Sequence, residues 1–410
     1  MTAVPGVAHG NGSAGGGDGD HHTGGRLRIA MIAPPFFELP PTGYGGIEAM
    51  VAGLVDQLAD RGHEVVLIGA GRHRTRASRF CPVFDRPLSE RLGAPVPEVV
   101  HAARTAAVLR DVDVDIVHDH SLAGPLLAPS RRVPTVVTVH GEADGELGSY
   151  YAALGDSVDM VAISAAQRSL NPLLNWVGVV HNAVDVASFP YCERKGDYVL
   201  WLGRFCDQKG AHLAIDAARA AGLPIVLAGK RREQAERAYF EREITGRLGP
   251  GVRYVGEADA AQKRQLLSQA RALVFPVQWE EPFGLVMIEA MACGTPIVAL
   301  RRGSVPEIVA DGITGIIADK PAALPGALAA AGQLDPARCR QLVRDRFDLP
   351  TMAAGYERIY RMLAEGSRQV NALTVGIATP APRHAATPRH AAPPRRPLLP
   401  KLVSWPTARR

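Results

Sequence analysis

An α/β protein built from two Rossmann-like halves of similar size is what this sequence predicts, and three observations carry the prediction. Short β-branched apolar runs alternate with amphipathic helical stretches from Arg28 to Leu300, the pattern of a parallel sheet covered by helices on both faces. The alternation breaks near Asp185–Asp197, where Pro190, Gly196 and charged residues interrupt it. The chain has 410 residues, 47% of them hydrophobic, which suits two cores rather than one.

In the first half, Arg28 to Ala33 reads as a buried strand. Ile47, Val51, Leu54, Val55 and Leu58 then share one helical face, so a helix is predicted over Ile47–Ala59 and ended by Arg61-Gly62-His63. Glu64–Ile68, Asp115–Val117, Thr135–Val139 and Met160–Ile163 read as further strands. In the second half, strands are predicted at Tyr198–Leu202, Pro224–Leu227, Val252–Val255, Ala272–Pro276 and Pro296–Leu300. Helices are predicted at Ala211–Ala221, Glu233–Leu248, Ala260–Ala270 and Leu285–Ala292.

The domain plan is therefore a Gly-rich leader (1–25), a first half (26–190), a second half (191–348), a closing helix (349–366) and a basic Pro/Ala-rich tail (367–410). Leader and tail are expected to be disordered, since neither composition can bury enough apolar surface to offset ordering. The net charge is +5, but eight of the cations lie from Arg368 onward with no acid among them, leaving about −3 before the tail. A body that near neutrality argues against a broad nucleic-acid-binding face. The tail could make weak peripheral contact with an anionic membrane. No run approaches the ~18–20 apolar residues of a membrane span, and the leader lacks the features of a secretory signal. A cytoplasmic protein is expected. Cys81, Cys192, Cys206, Cys293 and Cys339 show no metal or disulfide spacing and read as isolated thiols.

Ligands of open parallel sheets sit beyond the carboxyl ends of the strands, so the informative segments are those just past strands. Glu281-Pro-Phe-Gly-Leu-Val-Met-Ile-Glu289 follows the strand ending at Pro276 and opens a helix. Gly284 permits close backbone approach, and the helix start supplies free N–H groups. Glu281, before the helix, can accept hydrogen bonds from sugar hydroxyls or simply cap the helix, and Glu289, in the second turn, can hold ribose hydroxyls or be solvated. Gly203-Arg204-Phe-Cys-Asp-Gln-Lys209-Gly210 follows the strand ending at Leu202, and its two cations can reach one diphosphate. Thr42-Gly-Tyr-Gly45-Gly46-Ile-Glu48 opens the first long helix, with Gly45 and Gly46 baring amides for a phosphate or acceptor. The absence of GxGxxG argues against a dinucleotide. His118, His120 and His140 lie at the ends of two strands.

The E-x7-E segment Glu281–Glu289, with the Gly203–Gly210 loop, resembles the family 4 retaining glycosyltransferases, and the likeness runs from about Arg28 to Met362. The resemblance implies a GT-B fold: two Rossmann-like domains facing across a deep cleft, with a C-terminal helix, marked by Met352, Tyr356, Ile359 and Tyr360, crossing back to the first. It implies transfer of a hexose from a nucleotide diphosphate sugar, with UDP-glucose the best guess, to a hydroxyl acceptor by a front-face mechanism needing no metal or other cofactor. Glu281 and the amides of Phe283, Gly284 and Leu285 would hold sugar and diphosphate. Arg204 and Lys209 would stabilise the leaving group, and Glu289 would hold the ribose. His120 matches the position that contacts the donor sugar near its 6-hydroxyl, and His140 lines the same cleft. Glu307, in Gly303-Ser-Val-Pro-Glu-Ile, would belong to a second wall of the nucleotide site, with a helix-capping role as the alternative. Asp113-Val-Asp115 is read as a solvated turn away from the cleft, not a metal site. His181-Asn-Ala183-Val-Asp185 resembles the family's N-G-V-D hinge, with Ala183 where glycine is usual. A nucleotide-sugar 2-epimerase of the same fold and a non-catalytic nucleotide-sugar binder are the competing readings.

Overall fold

The computed structural model describes residues 25–43 and 45–376, and both sheets lie in one compact unit ending at Arg368. Among the described residues, seven parallel strands form the first sheet: β1 (Arg28–Ile32), β2 (Glu64–Ala70), β3 (Arg79–Phe84), β4 (Ile116–Asp119), β5 (Thr135–Val139), β6 (Asp159–Ala162) and β7 (Trp176–Val179). Their order is β3-β2-β1-β4-β5-β6-β7. Six more form the second: β8 (Val199–Leu202), β9 (Ile225–Ala228), β10 (Val252–Tyr254), β11 (Ala272–Phe275), β12 (Ile297–Leu300) and β13 (Gly315–Ala318), in the order β10-β9-β8-β11-β12-β13. In both sheets the chain starts in the middle and reverses direction across the sheet, between β1 and β4 and between β8 and β11. That reversal opens a crevice at the carboxyl edge.

Burial explains the alternation seen in the sequence. The helix Gly46–Asp60 lays Val51, Leu54, Val55 and Leu58 against β1 and β2 at zero exposure, each side chain gaining about 1.5–3 kcal/mol over an exposed one. The C-terminal helix, Leu349–Gly376, sends Met352, Ala353, Tyr356, Ile359 and Tyr360 into the same core. Arg61 fixes its start, donating to Glu357 at 2.9 Å and to the carbonyl of Pro350. This helix runs through Gly376, so residues 367–376, expected to open the disordered tail, are helical. The rest of the tail, from 377, and the leader up to 24 lie outside the described residues.

Three strands and six helices were not predicted, Gly145–Leu154, Ala165–Leu170 and Val305–Ile308 among the helices. β3 is an edge strand carrying Pro82 and exposed Arg79, and proline is tolerated in a sheet only at such places. All four residues of β7 are half-buried, so no alternation marks it. The helix Pro95–Arg110 starts on two prolines, and β13 with the helices Leu324–Ala331 and Pro336–Arg346 completes the second half. The helix expected over Glu233–Leu248 is instead a short α-helix, Gln234–Tyr239, widening into a π turn, Phe240–Ile244. The wide turn buries Phe240 and Ile244 together.

No helix among the described residues is long and apolar enough to cross a membrane. Asp115 is not merely solvated: it receives the backbone N–H of Arg28 at 2.8 Å and pairs with its guanidinium at 3.1 Å. Asp113 remains exposed and also meets Arg28. Both lie at the amino end of the sheet, where they tie β1 to β4.

Candidate active site

The loops after the strands of both sheets line one cleft of about 950 Å³. It contains Gly45, Gly46 and His140 from the first half and Arg204, Lys209, Glu281, Phe283, Gly284, Leu285 and Glu289 from the second. These residues come from four separate segments of the chain.

Lys209 and Glu281 form the centre. Lys209 Nζ lies 2.5 Å from Glu281 Oε2, and Trp279 Nε1 donates to the same oxygen at 2.9 Å. The Lys209 ammonium sits 5.0 Å above the Trp279 ring, so the cation is held by a carboxylate and an aromatic face together. Gly210 places Lys209. It adopts φ 64°, and a Cβ there would stand 2.3 Å from the carbonyl oxygen of Pro276, at the end of β11. The glycine thus lets the cation's loop touch the carboxylates' strand. Gly210→Ala combines a left-handed strain of about 1–3 kcal/mol with this clash. It is expected to lower the melting temperature and reduce donor binding together, which a thermal-denaturation series with and without nucleotide would read.

The next loop supplies donors. Gly284, at φ 79°, caps the helix Leu285–Ala292, and the N–H groups of Phe283, Gly284 and Leu285 reach no acceptor among the described residues. Such amides at a helix start suit an anion. Glu289, inside that helix, pairs with Lys263 at 2.5 Å. Arg204 is exposed at the cleft.

Two expected site residues lie elsewhere. His120 is 5% exposed and stands behind His140: its Nδ1 is 2.9 Å from His140 Nε2, and its Nε2 faces the sulfur of Met31 at 3.2 Å. It is His140 that lines the cleft. Burial lowers the His140 pKa to about 4 and that of His120 well below its ordinary value. Glu307 does not line the cleft either. Its carboxylate accepts the N–H groups of Ala165 and Ala166 at 2.9–3.3 Å and pairs with His181 at 2.5 Å. Burial raises this carboxyl, but His181 and the two amides outweigh it and hold the group below the usual range. Glu307 thus caps a helix of the first half, Ala165–Leu170, from the second. Its neighbours brace the E-x7-E loop from behind: Ser304 N donates to the carbonyl of Glu281 at 2.9 Å and Ser304 Oγ to that of Phe283 at 2.8 Å.

The carboxyl-edge rule, applied to every strand, also finds residues the sequence reading left out. Lys230 follows β9, and Glu257, Asp259 and Lys263 follow β10; all line the cleft, as does Trp279 after β11. Two acids from the first half, Asp56 and Asp185, line it too. Both are engaged by backbone: Asp56 accepts the Arg76 N–H at 2.6 Å and Asp185 that of Ala187 at 3.1 Å. Among the described residues no group of three His, Cys, Asp or Glu is placed to hold a metal ion.

Residues 44–188 match the model described as Glycosyltransferase Family 4, and residues 192–332 match Glycosyl transferases group 1. The chain is 28% identical over 405 residues to a glycogen synthase of Mycobacterium tuberculosis, covering 84% of this chain and 96% of that one. It is 30% identical over 336 residues to an alpha-maltose-1-phosphate synthase of the same species, covering 70% and 84%. Among solved structures, AviGT4, a glycosyltransferase involved in avilamycin A biosynthesis, superposes with a TM-score of 0.65 at 28% identity, over 83% of this chain and 98% of that one. Two matched halves, two central-switch parallel sheets and a cleft lined by the E-x7-E loop and its lysine thus converge: the chain belongs to the family 4 glycosyltransferases and is an enzyme of the GT-B fold.

Proposed function

We propose that the enzyme transfers a hexose from a nucleotide diphosphate sugar to a hydroxyl acceptor with retention of the anomeric configuration, and that UDP-glucose is the donor. The observation that carries this reading is the arrangement of Lys209 and Arg204 beside three undonated amides and two separated carboxylates in one cleft. The amides of Phe283, Gly284 and Leu285 and the two cations would bind the diphosphate. Glu281 would take hydroxyls of the transferred sugar and Glu289 those of the ribose. Glycogen and maltose, in the relatives' names, are built of glucose, which favours a glucosyl unit.

Chemistry in such a site rests on position and charge. The bond from the anomeric carbon to the phosphate oxygen breaks, with its electron pair moving to the diphosphate. Lys209 and Arg204 meet that growing charge. The acceptor oxygen bonds to the same face of the resulting oxocarbenium-like carbon, and its proton passes to the departing phosphate oxygen. No enzymic nucleophile is called for, in keeping with Asp56 and Asp185 being held by backbone amides.

A thermal-shift screen of UDP-, GDP- and ADP-sugars tests the donor. Stabilisation by UDP-glucose above the others supports the assignment, and preference for another base or sugar replaces it. Because the side-chain cations meet the leaving group's charge, turnover is expected to survive EDTA. Asp115→Asn should leave it within about twofold, its ion pair with Arg28 being structural and partly exposed. An absolute manganese requirement lost in Asp115→Asn contradicts the metal-free reading.

A further inference from the structure

His120 is nearly inaccessible, yet it touches His140, the one histidine among the described residues that lines the cleft, and its partners leave little freedom about where its proton sits. On one side His120 Nε2 is 3.2 Å from Met31 Sδ. A thioether sulfur has no hydrogen to give and can only accept, so that contact is a hydrogen bond only if the proton is on Nε2. A neutral imidazole carries one proton, and its other nitrogen is an acceptor. His120 Nδ1 must then accept, and the 2.9 Å bond to His140 Nε2 is donated by His140. With its proton on Nε2, neutral His140 has a bare Nδ1, for which the described residues offer no hydrogen-bond partner. Burial keeps both rings neutral near pH 7.

The surroundings close the alternatives. The ring of His118 lies 4.0 Å from that of His120, but both of its nitrogens are occupied, Nδ1 with Tyr360 Oη at 2.6 Å and Nε2 with Thr138 Oγ1 at 2.7 Å. Thr138 Oγ1 in turn meets Tyr356 Oη at 2.8 Å. The C-terminal helix, through Tyr356 and Tyr360, thus fixes His118, and His118 and Met31 clamp His120 from two sides.

We propose that His120 is a positioning residue: it holds His140 in the Nε2–H tautomer, so that His140 Nδ1 accepts a hydrogen bond from a hydroxyl of the sugar being transferred. The inference rests on the nucleotide-sugar reading of the cleft for its ligand, but the tautomer itself does not. His140 then recognises a sugar hydroxyl as donor, and His120 acts on the sugar only through it.

Nitrogen NMR of the full chain labelled with 15N-histidine tests this, because protonated and bare ring nitrogens resonate far apart. The His140 signals are identified as those missing from His140→Gln. The expected spectrum has the proton of His140 on Nε2. His120→Ala should release the tautomer and lower donor turnover about tenfold, the worth of one neutral hydrogen bond, with affinity for free nucleotide diphosphate unchanged. His120→Asn, whose Oδ1 takes the place of Nδ1 as acceptor, should restore both the tautomer and most of the turnover. A proton on His140 Nδ1 in the wild-type spectrum overturns the proposal. So does a fall in His120→Ala that His120→Asn shares in full, or wild-type turnover in His120→Ala. If the wild-type protein consumes no nucleotide sugar, the functional reading fails, and the spectrum still decides the tautomer.

Discussion

Lys209→Ala is expected to lower the turnover number by roughly 10–150-fold, the equivalent of about 1.5–3 kcal/mol for one charge-assisted contact. Two effects combine in it. In the proposed mechanism the ammonium would meet charge that develops on the diphosphate as the glycosidic bond breaks, so its loss should be felt in the transition state more than in donor binding. Its removal also leaves Glu281, 7% exposed, with only the Trp279 indole on Oε2 among the described residues, and an unpaired buried carboxylate is costly. Arg204→Ala separates the two effects. Arg204 stands exposed at the same cleft without an ion pair to Glu281, so its loss reports the leaving-group charge alone. A cycle of Lys209→Ala, Glu281→Gln and the double variant gives the coupling directly. Steady-state kinetics on one donor checks all four proteins, and near-wild-type turnover in both Lys209→Ala and Arg204→Ala contradicts the leaving-group role.

The two glutamates are expected to separate in binding. Glu289→Gln should weaken free nucleotide diphosphate and intact donor alike, by roughly 10–150-fold, because a ribose contact is common to both ligands. Glu281→Gln should leave free nucleotide nearly unchanged while depressing transfer, because the ligand proposed for it is the sugar. The structure adds a competing effect to each. Glu289 is paired with Lys263 and Glu281 with Lys209, so a ligand that takes those oxygens would have to displace the lysine. Part of each loss is therefore offset by release of the lysine, and Lys263→Met should tighten nucleotide binding if the ribose displaces that lysine. Calorimetric titration with nucleotide alone and with intact donor decides the roles. Equal loss of free-nucleotide affinity in Glu281→Gln and Glu289→Gln overturns the assignment.

Much of this was legible in the sequence because packing and catalysis impose local patterns. Val51, Leu54, Val55 and Leu58 mark one helix face, and Thr135–Val139 is strand from end to end. The Glu281–Glu289 and Gly203–Gly210 segments, which meet in one cleft, are each marked within a few residues of sequence. Where partners are distant in sequence, the reading failed. That His140 faces the cleft and His120 stands behind it depends on Met31, 89 residues away from His120. The Glu307 carboxylate reaches Ala165 across 142 residues, so of its two expected roles it takes the helix-capping one, on a helix of the other half that the sequence could not name. β3 and β7 escaped because edge and half-buried strands lack a clean alternation. Lys230 and Lys263 escaped because they stand alone after their strands, with no neighbouring motif to single them out.

The central claim, retaining transfer of a hexose from a nucleotide diphosphate sugar, is tested most directly by proton NMR of the first sugar released from UDP-α-glucose with water as acceptor. The α and β anomers give separate signals, and early time points precede their interconversion. The account predicts that α-glucose accumulates ahead of β-glucose, that UDP appears in equal amount, and that Lys209→Ala slows both. β-Glucose appearing first, or no release from any UDP-, GDP- or ADP-hexose by the folded protein, would contradict it.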